Sequence, residues 1–198
     1  MNGEHAKDRR VQKTERLLRD SLVSLIHEKS YDSIAVKEIL NRANVGRSAF
    51  YAHFHDKHAL LASGIHQMLR EGSPRPLPAG AKRFRNVVWF SFPVFEYVNP
   101  FRHTDGSLMG REDHTIIHEH LRQVLIDMIA DEVSASVPRP ESGAGSVPPE
   151  LLAQYVAGTF ILVLNWWVES NSPLSPREAD DVFLSMVLPT LTAMTECA

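Results

Sequence analysis

Cysteine is almost absent from this sequence of 198 residues, and the single one, Cys197, immediately precedes the last residue. A lone cysteine excludes an internal disulfide bond and a zinc site made of several thiolates, and it is typical of a reducing compartment. The sequence also lacks a glycine-rich phosphate loop, an HExxH motif and a Ser-His-Asp order. We therefore predict a protein that is not an enzyme and has no cofactor. The alternative, a helical enzyme that uses histidine for acid–base chemistry, has no motif to support it.

Long apolar runs are missing as well. The longest, YVAGTFILVLNWWV at residues 155–168, is shorter than the roughly 20 residues that a membrane-spanning helix needs. The N-terminal sequence MNGEHAKDRRVQKTER has no apolar stretch of the kind that a secretion signal requires. These absences predict a cytoplasmic protein without a membrane partner.

Apolar residues instead recur at helical spacing, as Leu18, Leu22 and Leu25 do, and no stretch indicates a strand. A stretch rich in proline and glycine, residues 72–80, predicts a boundary between two all-α domains, 8–70 and 71–198. Pro93 is expected to kink or end the helix that contains it. The predicted helices cover residues 11–28, 36–43, 47–54, 57–70, about 81–98, 113–133, 150–170 and 176 onward.

Charge is divided unevenly along the chain. Residues 1–60 carry eleven Lys or Arg against eight Asp or Glu, whereas residues 61–198 carry ten against sixteen, for a formal net charge of −3. A basic N-terminal part on an acidic body favours an anionic partner for the N-terminal part. Chance variation of the surface is the alternative.

Two short helices in the N-terminal part, residues 36–43 and 46–54, are separated by a very tight turn. Asn44 stands where such a turn often needs a positive φ, which asparagine tolerates better than most residues. Val45 is expected to fill the corner between the helices, above a floor supplied by residues 11–28. This pattern indicates a helix-turn-helix, in which the second helix enters the DNA major groove.

The order YDSIAVKEILNRANVGRSAFYAHFHDKHALL resembles the N-terminal domain of TetR-type transcriptional regulators over about residues 10–65. The resemblance rests on an aromatic Tyr-x-x-Phe ending followed by a lysine, here Tyr51, Phe54 and Lys57. A weaker similarity, NWWVESNSPLSPREADDVF, links the last two helices to one branch of TetR C-terminal domains. Ala35 departs from the family pattern, because a capping Thr or Ser is usual at this position. Glu38, three residues later, still occupies the position of the acidic partner in a capping box.

The resemblance implies a DNA-binding surface within a helix-turn-helix of about Ile34 to His53. Arg47 would read guanine, Tyr51 and Lys57 would bind phosphate, and Lys37 would reach the opposite strand. The DNA-binding residues implied are Lys37, Arg47, Ser48, Ala49, Tyr51, His53 and Lys57.

Histidines raise the alternative of a metal site. His53, His55 and His58 fall within six positions, but their helix phases argue against joint ligation. A second group combines His114 and His118, at i and i+4, with His103 and Asp113. Solvated histidines explain the second group better, so no metal is predicted.

The body offers apolar residues for a dimer and for a ligand. Residues 150–170 are apolar almost all round, and the resemblance implies that this helix and the last one form a four-helix bundle with a second copy. The proposed anchors are Phe160, Trp166, Trp167 and Phe183, unless they only fill the core of one chain. By analogy with the family, an aromatic stripe would line an effector pocket, unless it too is plain core; its members are Trp89, Phe92, Phe95 and Phe101.

Together these features predict a DNA-binding regulator of transcription, a homodimer on a palindromic operator of double-stranded DNA. It would act as a repressor that a small apolar or aromatic effector releases. The alternative is a regulator or adaptor that is controlled by a partner protein.

Overall fold

The computed structural model describes residues 2–102, 111–136 and 147–196. Throughout these ranges the secondary structure is helical and contains no strand, so the predicted all-α fold is confirmed. The α-helices in this part of the chain are α1 (Asn2–Ile26), α2 (Val36–Ala43), α3 (Arg47–Tyr51), α4 (Lys57–Glu71), α5 (Arg85–Val88), α6 (Ser91–Val98), α7 (Arg111–Ser136), α8 (Pro149–Glu169) and α9 (Pro176–Glu196), and a 3₁₀ helix, Ala79–Phe84, precedes α5.

The chain forms two compact units. The first comprises Met1–Gln67 and Asp105–His120, and the second comprises Met68–Thr104 and Leu121–Ala198. Helices α4 and α7 therefore contribute residues to both units. The predicted domain limits, 8–70 and 71–198, divide the chain only once and remain a prediction. Of the second histidine group considered above, His103 and the side chains at positions 113 and 114 lie outside the described residues.

One face of α1 supplies buried leucines to the first unit, as its periodicity predicts. Leu18 is fully buried, and Leu22 and Leu25 are 2% and 4% exposed. Ile39 on α2 and Phe50 on α3 are fully buried in the same unit. Burial of a side chain of this size contributes about 1.5–3 kcal/mol, so apolar packing holds the short helices α2 and α3 in place.

The turn between α2 and α3 depends on Asn44. This residue has φ 52° and ψ 46°, in the left-handed region, as the sequence predicts. The backbone N–H of Val45 donates to the carbonyl oxygen of Leu40 at 3.1 Å, which closes the end of α2. The left-handed residue thus lets α3 begin after only three intervening residues.

The start of α2 is capped from one side only. The carboxylate of Glu38 accepts a hydrogen bond from the backbone N–H of Ala35 at 2.9 Å. Ala35 has no side-chain oxygen to return the bond, so half of a capping box is present. Lys29 forms an ion pair with the same carboxylate, and these two contacts hold the pKa of Glu38 below its usual value.

The helix bounds differ from the prediction in α3 and around Pro93. Helix α3 ends at Tyr51 and not at residue 54. The N–H of His53 donates to the carbonyl oxygen of Phe50, only three residues earlier, at 2.9 Å, so the chain tightens into a turn there. The predicted helix 81–98 is interrupted between α5 and α6 and not at Pro93. A proline ring clashes with the carbonyl four residues earlier, and here that residue is Trp89, where α5 has just ended.

The core of the second unit is a cluster of aromatic rings around Phe160. Its ring lies 5.0 Å from that of Phe90, 5.2 Å from that of Phe95 and 5.3 Å from that of Phe183, measured between centroids. Trp167 extends the cluster, edge-on to Phe95 at 5.3 Å. Edge-to-face pairs of this kind contribute about 0.5–1.5 kcal/mol beyond their buried area, so the cluster fixes α6, α8 and α9 to one another.

Helix α8 is long and apolar enough to cross a membrane by composition alone, although 44% of its most apolar window is buried inside the unit. Its inward side chains, such as Val156, Phe160 and Leu164, belong to the core. The core helix of a protein that does not enter a membrane passes the same test of composition, so this one helix is weak evidence for a membrane span.

A side-chain cap opens α9 as the sequence predicts. The Ser175 hydroxyl accepts from the N–H of Glu178 at 3.3 Å, and the Glu178 carboxylate accepts from the N–H of Ser175 at 2.8 Å. Pro176 occupies the first helical position, where its missing N–H costs nothing. This capping box orients α9 against α8.

Candidate nucleic-acid interface

Helix α3 presents polar side chains on its outer surface. Arg47 and Ser48 are exposed, Ala49 is half-buried, and Tyr51 is 50% exposed. The guanidinium carbon of Arg47 lies 5.9 Å from the centre of the Tyr51 ring, one turn further along. These groups can donate hydrogen bonds to base edges and phosphate oxygens, and none of them is needed to fill the core.

The inner surface of α3 fixes the helix. Phe50 is fully buried, and its ring packs against those of Tyr51 and Phe54 at 5.2 and 5.8 Å. A five-residue helix has little stability of its own, so this aromatic anchor determines where Arg47 and Tyr51 point.

Lys37 is exposed on the first turn of α2, as a phosphate ligand would be. Lys57 is placed differently. Its ammonium group donates to the carbonyl oxygens of Tyr31, Asp32 and Ile34 at 2.9, 3.1 and 3.3 Å. Since an ammonium group has three hydrogens, these bonds occupy all of them, so Lys57 has the position of an internal anchor and not that of a phosphate ligand.

The three histidines near α3 lie in different surroundings. His53 is outside the helix, and its Nδ1 lies 3.7 Å from the Glu15 carboxylate on α1. His55 is largely exposed beside Asp56, while His58 contacts Tyr31 and His120. They do not converge on one metal, and His53 has an acidic neighbour that weakens its predicted approach to DNA.

A basic stripe on α1 is not among the predicted DNA-binding residues. Arg9, Lys13 and Arg16 are exposed and follow one another at i, i+4 and i+7, so they share a helix face. No residue of α1 from 9 to 17 is buried. The spacing of these cations was the signal that could have identified the stripe.

The four aromatic residues predicted to line a pocket do not form one wall. Phe95 is fully buried in the aromatic core, and Phe101 is 39% exposed. Trp89 and Phe92 are half-buried. An open groove of about 640 Å³ lies elsewhere in the second unit, and none of the four lines it. Its lining residues are Arg75, Pro78, Asp181, Leu184, Ser185, Leu188, Pro189, Thr192 and Ala193.

Three of the four predicted dimer anchors are corrected by their burial. Phe160, Trp167 and Phe183 are fully buried within the chain and have no surface for a second copy. Trp166 is 45% exposed, so its side chain could contact a second copy of the chain. Other apolar side chains of the last two helices are also exposed: Leu151, Tyr155 and Leu162 on α8, and Met186 on α9.

Comparison with known proteins agrees with this geometry. Residues 18–63 match the model of the family described as bacterial regulatory proteins, tetR family. A search of curated proteins gave no match.

Two solved structures resemble most of the chain. A TetR transcriptional regulator from Streptococcus agalactiae is 20% identical, with a TM-score of 0.50 over 93% of this chain and 99% of that one. A protein described as a TetR-family transcriptional regulator from Syntrophomonas wolfei is 14% identical, with a TM-score of 0.52 over 89% of this chain and 93% of that one. Over residues 18–63 the chain is therefore similar to bacterial regulatory proteins of the tetR family, and the chain as a whole has the fold of these two regulators.

Proposed function

We propose that the protein is a homodimeric, DNA-binding repressor of transcription whose affinity for its operator falls when an effector binds. The observation that carries the proposal is the structure of α3: Phe50 anchors it from below, while Arg47, Ser48 and Tyr51 remain exposed above. An exposed face of this chemistry on a helix-turn-helix fits the major groove.

The residues divide by the part of DNA that they would contact. Arg47 fits a guanine edge, which a guanidinium binds through two hydrogen bonds. Ser48 and Ala49 would lie beside the neighbouring bases, and Tyr51 and Lys37 would bind phosphate. Lys57 would act indirectly by holding the loop before α2, and His53 would stay on Glu15 unless DNA displaces it.

A second copy of the chain is the partner that fits the exposed apolar face of α8. This face consists of Leu151 and of Tyr155, Leu162 and Trp166, which lie 4, 11 and 15 positions after Leu151. At 100° per residue, the four side chains fall within about 60° of the helix circumference. The Tyr155 hydroxyl donates to the carbonyl oxygen of Met186 at 3.1 Å, so Met186 on α9 borders the same face. Pairing of α8 and α9 with their copies would bury this face and set two recognition helices on a palindrome.

An effector would act on the second unit. The predicted apolar or aromatic ligand would have to open the packing around Trp89 and Phe92, because both rings are half-buried there. Control by a partner protein is the alternative, and the open groove beside Asp181 and Leu188 offers it a surface. The two are distinguished by whether a compound library or a protein fraction releases bound DNA.

The test begins with selection of bound duplexes from a random-sequence library. We expect a palindromic site, and Arg47→Ala should lose about 1–3 kcal/mol of discrimination at the guanine it reads. Arg85→Ala is the matched control, an exposed arginine on α5. Selection of no consensus site, or unchanged preference in Arg47→Ala, would overturn the assignment. Repression is tested by transcription in vitro from a promoter that overlaps the selected site.

A further inference from the structure

The cations of the basic stripe, Arg9, Lys13 and Arg16, take no part in the packing of the first unit. All three are exposed, on the side of α1 opposite the buried Leu18. Their spacing places them within about 60° of the helix circumference. Among the residues that the structure describes, their side chains have no hydrogen bond and no ion pair.

Other basic side chains of the first unit are tied into the fold. Arg19, three residues after the stripe, donates to the Ser63 hydroxyl at 3.0 Å. Arg42 donates to both carboxylate oxygens of Glu28, at 2.5 and 2.7 Å, and Lys57 donates to three backbone carbonyls. These cations have structural partners within the chain. The charge of the basic stripe is instead free to meet a partner outside it.

The spacing of the stripe is unfavourable for a helix that has no anionic partner. Lys13 follows Arg9 by four residues, and Arg16 follows Lys13 by three. Like charges at these spacings repel one another and destabilise a helix. No residue of α1 from 9 to 17 is buried, so apolar packing does not compensate for the repulsion. An anion bound along the stripe would remove it.

The length of the stripe matches one strand of duplex DNA. A helix rises about 1.5 Å per residue, so Arg9 and Arg16 are about 10 Å apart along its axis. The phosphates of one strand follow one another about every 3.4 Å along the duplex axis, so the stripe spans about three of them. A membrane surface fits less well, because a helix on a membrane needs a broad apolar face. From residue 9 to 17 the large apolar side chains are Val11 and Leu17, which lie on different sides of the helix.

The stripe is also close to the recognition segment. Glu15, the residue before Arg16, lies 3.7 Å from Nδ1 of His53, measured from its carboxylate oxygen. His53 follows the end of α3 by two residues. The stripe therefore begins at the level of the end of α3 and continues along α1 towards its N-terminus. A duplex bound by α3 would lie close to this part of α1.

We propose that the basic stripe binds the phosphate backbone of DNA beside the bases that α3 reads. The inference rests on the proposed function and adds a second contact surface to it. Contacts of this kind release counterions but select no bases. The stripe therefore raises the affinity for every duplex and leaves the choice of sequence to α3.

The salt dependence of DNA binding by the full chain tests the stripe. The stripe variant combines Arg9→Gln, Lys13→Gln and Arg16→Gln. Each phosphate contact contributes about 0.9 to the slope of the logarithm of the binding constant against that of the salt concentration, so this slope should fall by about 2.7 per bound chain. Between about 50 and 200 mM salt, the wild type should therefore lose roughly 40-fold more affinity per bound chain than the stripe variant.

The matched control replaces three exposed cations of the second unit by glutamine: Lys82, Arg83 and Arg85. It has the same net charge as the stripe variant and should keep the wild-type slope. None of the six replaced side chains is buried, so both variants should retain the helical circular dichroism of the wild type. An unchanged slope in the stripe variant, or an equal fall in the control, would overturn the proposal.

Ethylation of individual phosphates locates the contacts on the duplex. Some phosphates whose ethylation weakens binding of the wild type should have no effect on binding of the stripe variant. Arg9→Lys combined with Arg16→Lys should keep the wild-type pattern, because a phosphate accepts hydrogen bonds from either kind of cation. The same pattern in the stripe variant as in the wild type would contradict the proposal.

Duplexes of random sequence separate this inference from the proposed function. If the wild type selects no consensus site but binds random duplexes with a slope that falls in the stripe variant, the stripe is supported and the proposed function fails. If both proteins bind a selected site with the same slope, the proposed function stands and the stripe fails. Loss of binding to vesicles of anionic phospholipid, with DNA binding unchanged in the stripe variant, would assign the stripe to a membrane surface and overturn the proposal. A wild type that binds no duplex at about 50 mM salt would overturn both.

Discussion

Lys57 contacts Tyr31 in two ways: its ammonium nitrogen lies 4.6 Å from the centre of the Tyr31 ring and 2.9 Å from the Tyr31 carbonyl oxygen. The same nitrogen reaches the carbonyl oxygens of Asp32 and Ile34. One side chain at the start of α4 therefore holds the backbone that leads into α2. The ammonium group of a residue expected to bind DNA is thus hydrogen-bonded to the backbone of its own domain.

Lys57→Met should therefore lower stability more than it lowers phosphate binding. Hydrogen bonds from a charged donor contribute about 1.5–3 kcal/mol, and three carbonyl groups lose their partner together, so we expect a loss of about 2 kcal/mol in the free energy of unfolding by urea. Lys37→Met, on the exposed surface of α2, should leave stability unchanged and reduce the salt dependence of DNA binding by about one counterion. The reverse pattern for the two lysines would contradict this assignment.

Gly72 follows α4 in a position that has no room for a side chain. A Cβ there would stand 2.4 Å from Cβ and 2.9 Å from Cγ of Pro93. The proline ring is rigid, so the backbone must shift, and we expect Gly72→Ala to cost about 1–3 kcal/mol in thermal or urea unfolding.

Gly158 provides the matched control for Gly72. A Cβ at this position in α8 meets nothing within 4 Å. Gly158→Ala should therefore stabilise the protein by about 0.5–1 kcal/mol, because alanine is the better helix former. If Gly72→Ala were as stable as Gly158→Ala, the contact with Pro93 would be looser than described.

Local chemistry explains what the sequence predicted well. The left-handed turn at Asn44 and the cap at Ser175 each depend on residues within four positions, so their types and spacing suffice to identify them. The bounds of α2 follow from the same local signals. The match of residues 18–63 to the TetR family agrees with the helix-turn-helix found in this way.

Long-range packing explains what the sequence did not predict. The carbonyl partners of Lys57 are 23 to 26 residues away, so no local pattern reveals them. Helix α8 is apolar almost all round, and its sequence therefore does not show that Trp167 faces the core while Trp166 faces outward. The same ambiguity explains why Phe160, on the same helix, is predicted at a dimer surface although it is fully buried.

The exposed face of α8 predicts which substitution separates two copies. Trp166→Glu places a charge in the proposed interface, and the loss of an aromatic anchor costs at least about 2 kcal/mol, or roughly 30-fold in the dimer dissociation constant. Sedimentation equilibrium should show a monomer that retains its helical circular dichroism. Leu17→Glu is the control, since Leu17 is an exposed leucine on α1. A wild-type chain that is monomeric at micromolar concentration would remove the basis of the dimer.

Asp180 gives the second unit a stability that depends on pH. Its side chain is 1% exposed; one oxygen accepts a hydrogen bond from the Ser91 hydroxyl, and the other lies 3.1 Å from Nη1 of Arg75. Burial outweighs these partners and raises the pKa of Asp180 from 3.8 to about 6. The folded state therefore holds this proton more tightly than the unfolded state does. The stabilisation it provides is complete below about pH 4 and is lost as the pH rises through 6.

Asp180→Asn cannot ionise, and it keeps an oxygen for Ser91. For the buried carboxyl group of the wild type, a shift of two pKa units implies that the free energy of unfolding declines by up to about 3 kcal/mol between pH 4 and 7. The free energy of unfolding of Asp180→Asn should not show this decline. Urea unfolding at pH 4.5, 5.5, 6.5 and 7.5 measures this as the difference between the variant and the wild type, which cancels the other titrating groups. Asp181→Asn removes the exposed neighbour that also pairs with Arg75. The charge of Asp181 is only the smallest of the causes that act on the pKa of Asp180, so the difference curve of Asp181→Asn should change much less with pH than that of Asp180→Asn. If the difference in free energy of unfolding between Asp180→Asn and the wild type did not change with pH, Arg75 would be keeping the Asp180 carboxylate ionised in the folded state despite its burial.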